Sequence, residues 1–206
     1  MRYALTVTSL AVTVCVLAGA FAATAEQRAA ATVLGMAMLG YTGFVAWRAS
    51  RDARLPGHAA TVRRVRVQRG LASRAWLEAG GRWYPVFFDP VLVTSASPAP
   101  ALRRGGAFQF GDVIVYPAGR SRPTEPSGRL VDYPSRPAPD ADIRARAAAA
   151  LPRRLLLDGQ FAIAGPFAGL LWVSVFGGGV TAFAAVTVVA AIAAIWFAAI
   201  RGSDPS

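Results

Sequence analysis

Lysine is absent from this chain: all 22 basic residues are arginine. Cysteine and histidine occur once each, as Cys15 and His58, and only 16% of the residues are charged. Each scarcity excludes something. One cysteine cannot close an internal disulfide, and the apolar run around Cys15 offers no metal partner. Val12, Thr13 and Val14 precede it where a lipobox would need small residues. A lone histidine in the stretch after an apolar run reads as a solvated linker residue rather than a ligand. Glu78, Asp89 and Asp112 are available carboxylates, but no spacing pairs them for acid/base work. No nucleophile elbow, phosphate loop or metal-ligand spacing is present, so no catalytic residue, cofactor or metal is expected. The missing lysine, with abundant Ala, Gly and Pro, fits the coding bias of a GC-rich genome. The functional alternative is guanidinium recognition of phosphate or anionic lipid.

Charge is also unevenly placed. Soluble domains run closer to a quarter charged residues, interleaved with apolar ones. Here Tyr3–Ala25, Ala29–Trp47, Phe161–Gly177 and Val180–Ile200 are nearly free of charge. A helix needs about 20 apolar residues to cross a bilayer, and lipid-exposed backbone must satisfy its own hydrogen bonds. Four transmembrane helices are therefore expected. Thr24–Arg28 and Gly177–Gly179 are turns short enough to make two antiparallel hairpins, and Thr24 with Gln27 has capping-box spacing. The first run begins like a signal peptide and Ala23–Ala25 resembles a cleavage site. The run exceeds a usual signal h-region, however, so a retained helix is expected.

Of the 22 arginines only Arg2, Arg28 and Arg201 lie outside Trp47–Asp158. The positive-inside rule then puts the central segment and both chain ends in the cytoplasm of a multi-pass inner-membrane protein. Tyr3, Trp47 and Trp196 fall where interfacial belt aromatics should. The spans carry no ionisable group well inside them, which argues against a charged transport path. Gly165 and Gly169, Ala31 and Gly35, and Ala190, Ala194 and Ala198 recur at helix-packing spacing. They serve packing within the chain or docking against another membrane protein. Pro166 should open the third helix locally.

The expected organisation is a first hairpin over 1–50, a small cytoplasmic β domain over 58–118, a Pro/Arg-rich linker and juxtamembrane helix over 119–154, and a second hairpin over 155–201. Ala59–Gln68 alternates imperfectly, since Val62 and Val65 fall on opposite faces of an ideal strand. Gly80-Gly81 between Leu71–Ala79 and Arg82–Phe88 signals a hairpin, with Pro85 at an edge or bulge. Val91–Thr94, Ala107–Phe110 and Asp112–Tyr116 add strand candidates. Together they predict a small antiparallel barrel of SH3-like or OB-like size. Trp76, Trp83, Tyr84, Phe87 and Phe88 could stack nucleic-acid bases, or fill the core of so small a domain. The core reading is favoured and nucleic acid is an unfavoured partner. Gly119–Pro139 reads as extended linker. Asp140–Leu151 reads as a helix along the inner surface. Arg144, Arg146, Arg153 and Arg154 would contact anionic phospholipid headgroups or simply set topology.

Four segments carry a resemblance: Arg82–Pro90 (RWYPVFFDP), Asp112–Arg120 (DVIVYPAGR), Gly165–Trp172 (GPFAGLLW) and Ile200–Ser206 (IRGSDPS). With the order of two spans, β insert, Arg/Pro linker and two spans, the chain resembles the LucB-like group of actinobacterial conserved membrane proteins. That group is associated with the mycobacterial Mce lipid importer. The resemblance implies a non-catalytic accessory or stabilising subunit whose partners are other integral membrane subunits, such as the Mce transporter permease. It carries over no catalytic residue. The alternative from the residues alone is a membrane-tethered β-barrel binding module for anionic lipid or nucleic acid.

Overall fold

The computed structural model describes residues 1–22, 24–136 and 138–206. Ala23, in the cleavage-site-like triplet, and Pro137, in the Pro-rich stretch, lie outside the described residues. The elements run α1 Arg2–Ala20, α2 Ala25–Ala53, β1 His58–Arg69, β2 Ala72–Ala79, β3 Arg82–Val86, α3 Val91–Thr94, β4 Ala99–Arg104, β5 Ala107–Phe110, β6 Val113–Val115, β7 Arg129–Asp132, α4 Ala141–Ala149, α5 Leu151–Gly159, α6 Ala164–Phe176 and α7 Gly179–Ile200. They divide into two compact units. One holds Arg2–Phe44 and Asp158–Ile200; the other holds Val45–Leu157 with Arg201–Ser206 and Met1.

Among the described residues, four helices are long and apolar enough to cross a membrane: Arg2–Ala20, Ala25–Ala53, Leu151–Phe176 and Gly179–Ile200. Close packing between α6 and α7 rests on Gly165 and Gly169. A Cβ added at Gly165 would lie 2.6 Å from the Thr187 carbonyl oxygen and 3.0 Å from Ala191 Cβ. One at Gly169 would lie 2.9 Å from Phe183 Cδ2. Only glycine lets these backbones approach so closely. Ala11, Cys15 and Met38 form a buried cluster joined by Leu34, Val189 and Trp196. Pro166 lacks the N–H that would bond the Ala162 carbonyl, and the turn before it, Gln160–Ile163, is 3₁₀ rather than α.

Two of the expected belt aromatics make hydrogen bonds between helices. Tyr3 is buried, and its hydroxyl donates to Asp158 Oδ2 at 2.7 Å. Asp158 is itself fully buried, a carboxylate that needs such a donor in an apolar setting. Trp196 sits between helices, its Nε1 donating to Thr8 Oγ1 at 3.2 Å and Thr42 Oγ1 at 3.1 Å. Both rings have polar atoms, and buried polar atoms seek partners before they seek an interface. Trp47 remains exposed.

The β unit is a curled antiparallel half-barrel with strand order β3-β2-β1-β4-β5-β6. β1 pairs β4 through His58–Val62 and β2 through Arg63–Arg69. The β2–β3 hairpin turns at Gly80 and Gly81, whose φ values of +57° and +70° suit a tight two-residue turn. Pro85 lies on β3, the outermost strand of that order, where its missing N–H costs least. Its carbonyl accepts from Ala118 N at 2.8 Å.

The stretch expected to be linker contributes structure. Arg129–Asp132 is β7, paired antiparallel with Val65–Gln68 of β1, and Arg122 exchanges backbone hydrogen bonds with Trp83. Only Leu130 and Val131 are apolar there, too few for a strand signal, but β1 offers a free edge to complete. This explains the broken alternation of β1. Val62 faces a core with Leu77, Tyr84, Val86, Phe108 and Val115, while Val65 and Val67 face a second cluster with Trp76, Trp83 and Leu130. Both faces of β1 are covered.

Candidate functional site: a buried arginine clasp and an arginine-lined pocket

On the face of β1 that carries Val62, the next position is Arg64, with only 4% of its side chain exposed. Its two terminal nitrogens are met by acceptors from four other residues. Nη1 donates to the Leu92 carbonyl at 2.6 Å. Nη2 donates to Asp204 Oδ2 at 3.1 Å, to Tyr133 Oη at 3.0 Å and to Ser206 Oγ at 2.8 Å. The guanidinium also stacks on Tyr133, its Cζ 3.6 Å from the ring centroid, a contact that suits a planar, weakly hydrated cation. Asp204 is fully buried and its backbone N–H donates to the Ser73 carbonyl. Tyr133 and Ser206 hydroxyls close the ring with each other. Burial, then the Asp204 carboxylate, pushes the Tyr133 phenol upward.

The partner of Arg64 thus comes from Arg201–Ser206, the segment after α7. Gly202, at φ +77°, lies so close to β3 that an added Cβ would meet the Val86 carbonyl at 2.7 Å. A segment the sequence offers as a polar tail is bound inside the β unit. The chain itself supplies the partners of both terminal nitrogens, Nη1 and Nη2, while Nε is buried without one; the clasp is a structural centre.

A second arginine cluster differs in kind. Arg69, Arg74, Arg122 and Arg201 line a pocket of about 220 Å³ with Val67, Trp76 and Ser127. No carboxylate is among its lining residues. Arg69 Nη1 donates weakly to Ser127 Oγ at 3.4 Å, and Arg122 lies over the Trp76 ring, Cζ to centroid 4.7 Å. Burial first, then the charges of Arg201, Arg122 and Arg69, bring the Arg74 pKa down to about 10.

The helical unit also holds an apolar cleft of about 710 Å³ lined by residues such as Leu17, Phe21, Leu34, Trp172 and Val189. Its walls offer dispersion contacts and almost no hydrogen bonds.

The residues singled out from sequence separate as follows. Gly165 and Gly169 are buried against α7, whereas Pro166 is exposed. Ala31 is buried, and a Cβ on Gly35 would meet Cys15 Cβ at 3.4 Å. Ala190, Ala194 and Ala198 are half-buried along α7. Arg144 pairs with Asp140 at 2.5 Å, Arg146 donates to the Asp142 carbonyl, and Arg153 is exposed. Arg154 is not on a surface with them: it is 7% exposed and lies over Phe88 at 5.6 Å. One residue after exposed Arg153, position on the helix sets burial more than charge does. Trp76, Trp83, Tyr84, Phe87 and Phe88 are all buried, so these rings fill cores. His58 is exposed at the start of β1, Glu78 faces Arg63 at 3.5 Å, and Asp89 accepts the Val91 N–H at 3.1 Å.

Sequence reasoning missed Arg64, Tyr133, Asp158 and Asp204, along with the Arg69, Arg74, Arg122 and Arg201 cluster. One signal existed: Val62, Arg64 and Arg66 share a strand face, and a charge on a core face needs a counter-ion. Comparison with protein-family models, with curated proteins and with solved structures gives no match.

Proposed function

We propose that the chain is a non-catalytic accessory subunit of an inner-membrane complex, anchored by its four apolar helices and presenting the β unit, of SH3-like or OB-like size, on the cytoplasmic side. The observation that carries this reading is the clasp. Arg64 spends its hydrogen bonds on Leu92, Tyr133, Asp204 and Ser206, so this buried polar centre fastens the segment after α7 to the β unit instead of facing a substrate. A domain bound to the chain on both flanks is suited to transmitting position, which is what an adaptor or stabilising subunit does. The resemblance of the RWYPVFFDP and GPFAGLLW segments to the LucB-like group narrows the complex to an Mce-type lipid importer, with its permease as partner.

The helix surfaces support this. Leu10, Met36, Phe44, Phe167, Leu171 and Val175 are exposed large apolar residues, suited to lipid or to neighbouring helices. Gly165 and Gly169 are spent on α7, so docking would use these bulkier faces. Arg144, Arg146 and Arg153 would face phospholipid headgroups. The test is purification of the tagged full chain from its native membrane in mild detergent. A stoichiometric membrane partner is expected; recovery of the chain alone would sink the reading.

A further inference from the structure

We propose that the pocket lined by Arg69, Arg74, Arg122 and Arg201 binds a phosphate group, with the Trp76 wall as its floor. Four arginines line about 220 Å³ with no carboxylate among the lining residues. Liquid water would fill that volume with about seven molecules at about 30 Å³ each, room for a phosphate monoester or diester and part of its hydration.

Crowding like charges costs free energy, and proteins ordinarily interleave acids to relieve it. The surface does so elsewhere: Arg63 lies between Glu78 and Asp132, and Arg144 pairs with Asp140. Here the charges bearing on Arg74 are three further arginines, which add to burial, the larger cause, in depressing its pKa. Glu125, near in sequence, is exposed and does not line the pocket. A dianion or phosphodiester is the group that would reverse the repulsion, since arginine forks match its oxygens in pairs. Arg122 already lies over the Trp76 ring, a contact that lessens the entropy lost on binding.

Two sources could supply the phosphate: a lipid headgroup or a soluble phosphate. Arg201 directly follows α7, a helix long and apolar enough to cross a membrane, so one wall of the pocket is one residue from that helix. This site stands apart from the accessory role and survives its failure.

The test uses the full chain in neutral maltoside micelles at constant ionic strength. Inorganic phosphate is titrated in one arm and phosphatidylglycerol in the other, against a chloride control, and the unfolding midpoint is read. Ligands that bind only the folded state raise the midpoint with concentration. Arg74→Gln and the exposed Arg122→Gln should each weaken binding by about tenfold or more, the loss expected of a charge-assisted hydrogen bond. Arg136→Gln, an exposed arginine outside the pocket, should leave it within about twofold. A shift with phosphatidylglycerol that inorganic phosphate competes away assigns the lipid source. A shift with phosphate alone assigns the soluble one. The proposal is overturned if neither arm shifts the midpoint, if the shift persists in Arg74→Gln and Arg122→Gln, or if Arg136→Gln loses as much as they do. Binding confined to an oligonucleotide overturns it too. Midpoints without ligand are read for every variant, and Arg122→Gln decides the matter if Arg74→Gln fails to fold.

Discussion

Arg64 Nη2 and Asp204 Oδ2 meet at 3.1 Å across 140 positions of sequence, with almost no solvent reaching either side chain. Two charges so placed depend on each other. Removing one strands the other in a low-dielectric interior, at a typical cost of about 3–5 kcal/mol. Replacing both with apolar groups of similar size is often close to neutral. Arg64→Met and Asp204→Leu should therefore each lower the stability of the β unit by that amount, and the double variant should recover most of it. Urea unfolding of the micelle-bound chain, followed by tryptophan fluorescence, measures the cycle. Additive losses in the double variant would contradict a coupled pair.

Gly202 guides the segment carrying Asp204. Its φ of +77° disfavours any L side chain, and an added Cβ would also press on Ala118 and the Val86 carbonyl. Gly202→Ala should cost about 1–3 kcal/mol and expose Arg201–Ser206 to limited proteolysis. An unchanged digestion pattern would count against the segment being bound.

Packing of α6 on α7 predicts an asymmetry within one helix. Gly169→Leu would force a side chain into Phe183 and Thr187 and should destabilise the helical unit by about 1–3 kcal/mol. Phe167→Leu, on an exposed position two residues away, should change little. Thermal melting of both variants by circular dichroism separates these outcomes.

Tyr133 should titrate later than an ordinary phenol. Its folded pKa is raised by burial and by Asp204, so the folded state holds a proton the unfolded chain has released. Its contribution to stability is full below the unfolded tyrosine value of about 10 and is lost as pH climbs through the folded one. Arg74 acts in the opposite sense: its folded value is lowered to about 10, and its penalty eases above that pH. Stability profiles would mix the two, so tyrosinate absorbance is the cleaner measurement. A late-titrating tyrosinate component should be lost in Tyr133→Phe.

The parts legible in sequence were those set by local pattern. Four apolar runs announced four long helices, and Gly80-Gly81 announced the β2–β3 turn. Buried Trp76 and Trp83 follow from how little else so small a sheet has to fill its cores. Partnerships at long range were not legible. Nothing near Arg64 hints that its carboxylate lies beyond α7, and nothing near Leu130 shows that β1 has an edge to complete. The partners of Tyr3 and Trp196 were hidden for the same reason: nothing local to either ring points to Asp158, Thr8 or Thr42.

The fastening of Asp204 to Arg64 has a consequence for biosynthesis. The ribosome completes β1 long before it makes residue 204, and the two apolar segments that become α5 to α7 emerge in between. If both cross the bilayer, residue 204 returns to the side where Arg64 waits; if only one crosses, it is stranded opposite. In a bilayer the ion pair would then act as a parity check on insertion. It would close only on chains whose number of crossings between the two residues is even, and would leave a miscounted chain with an exposed, unfinished core.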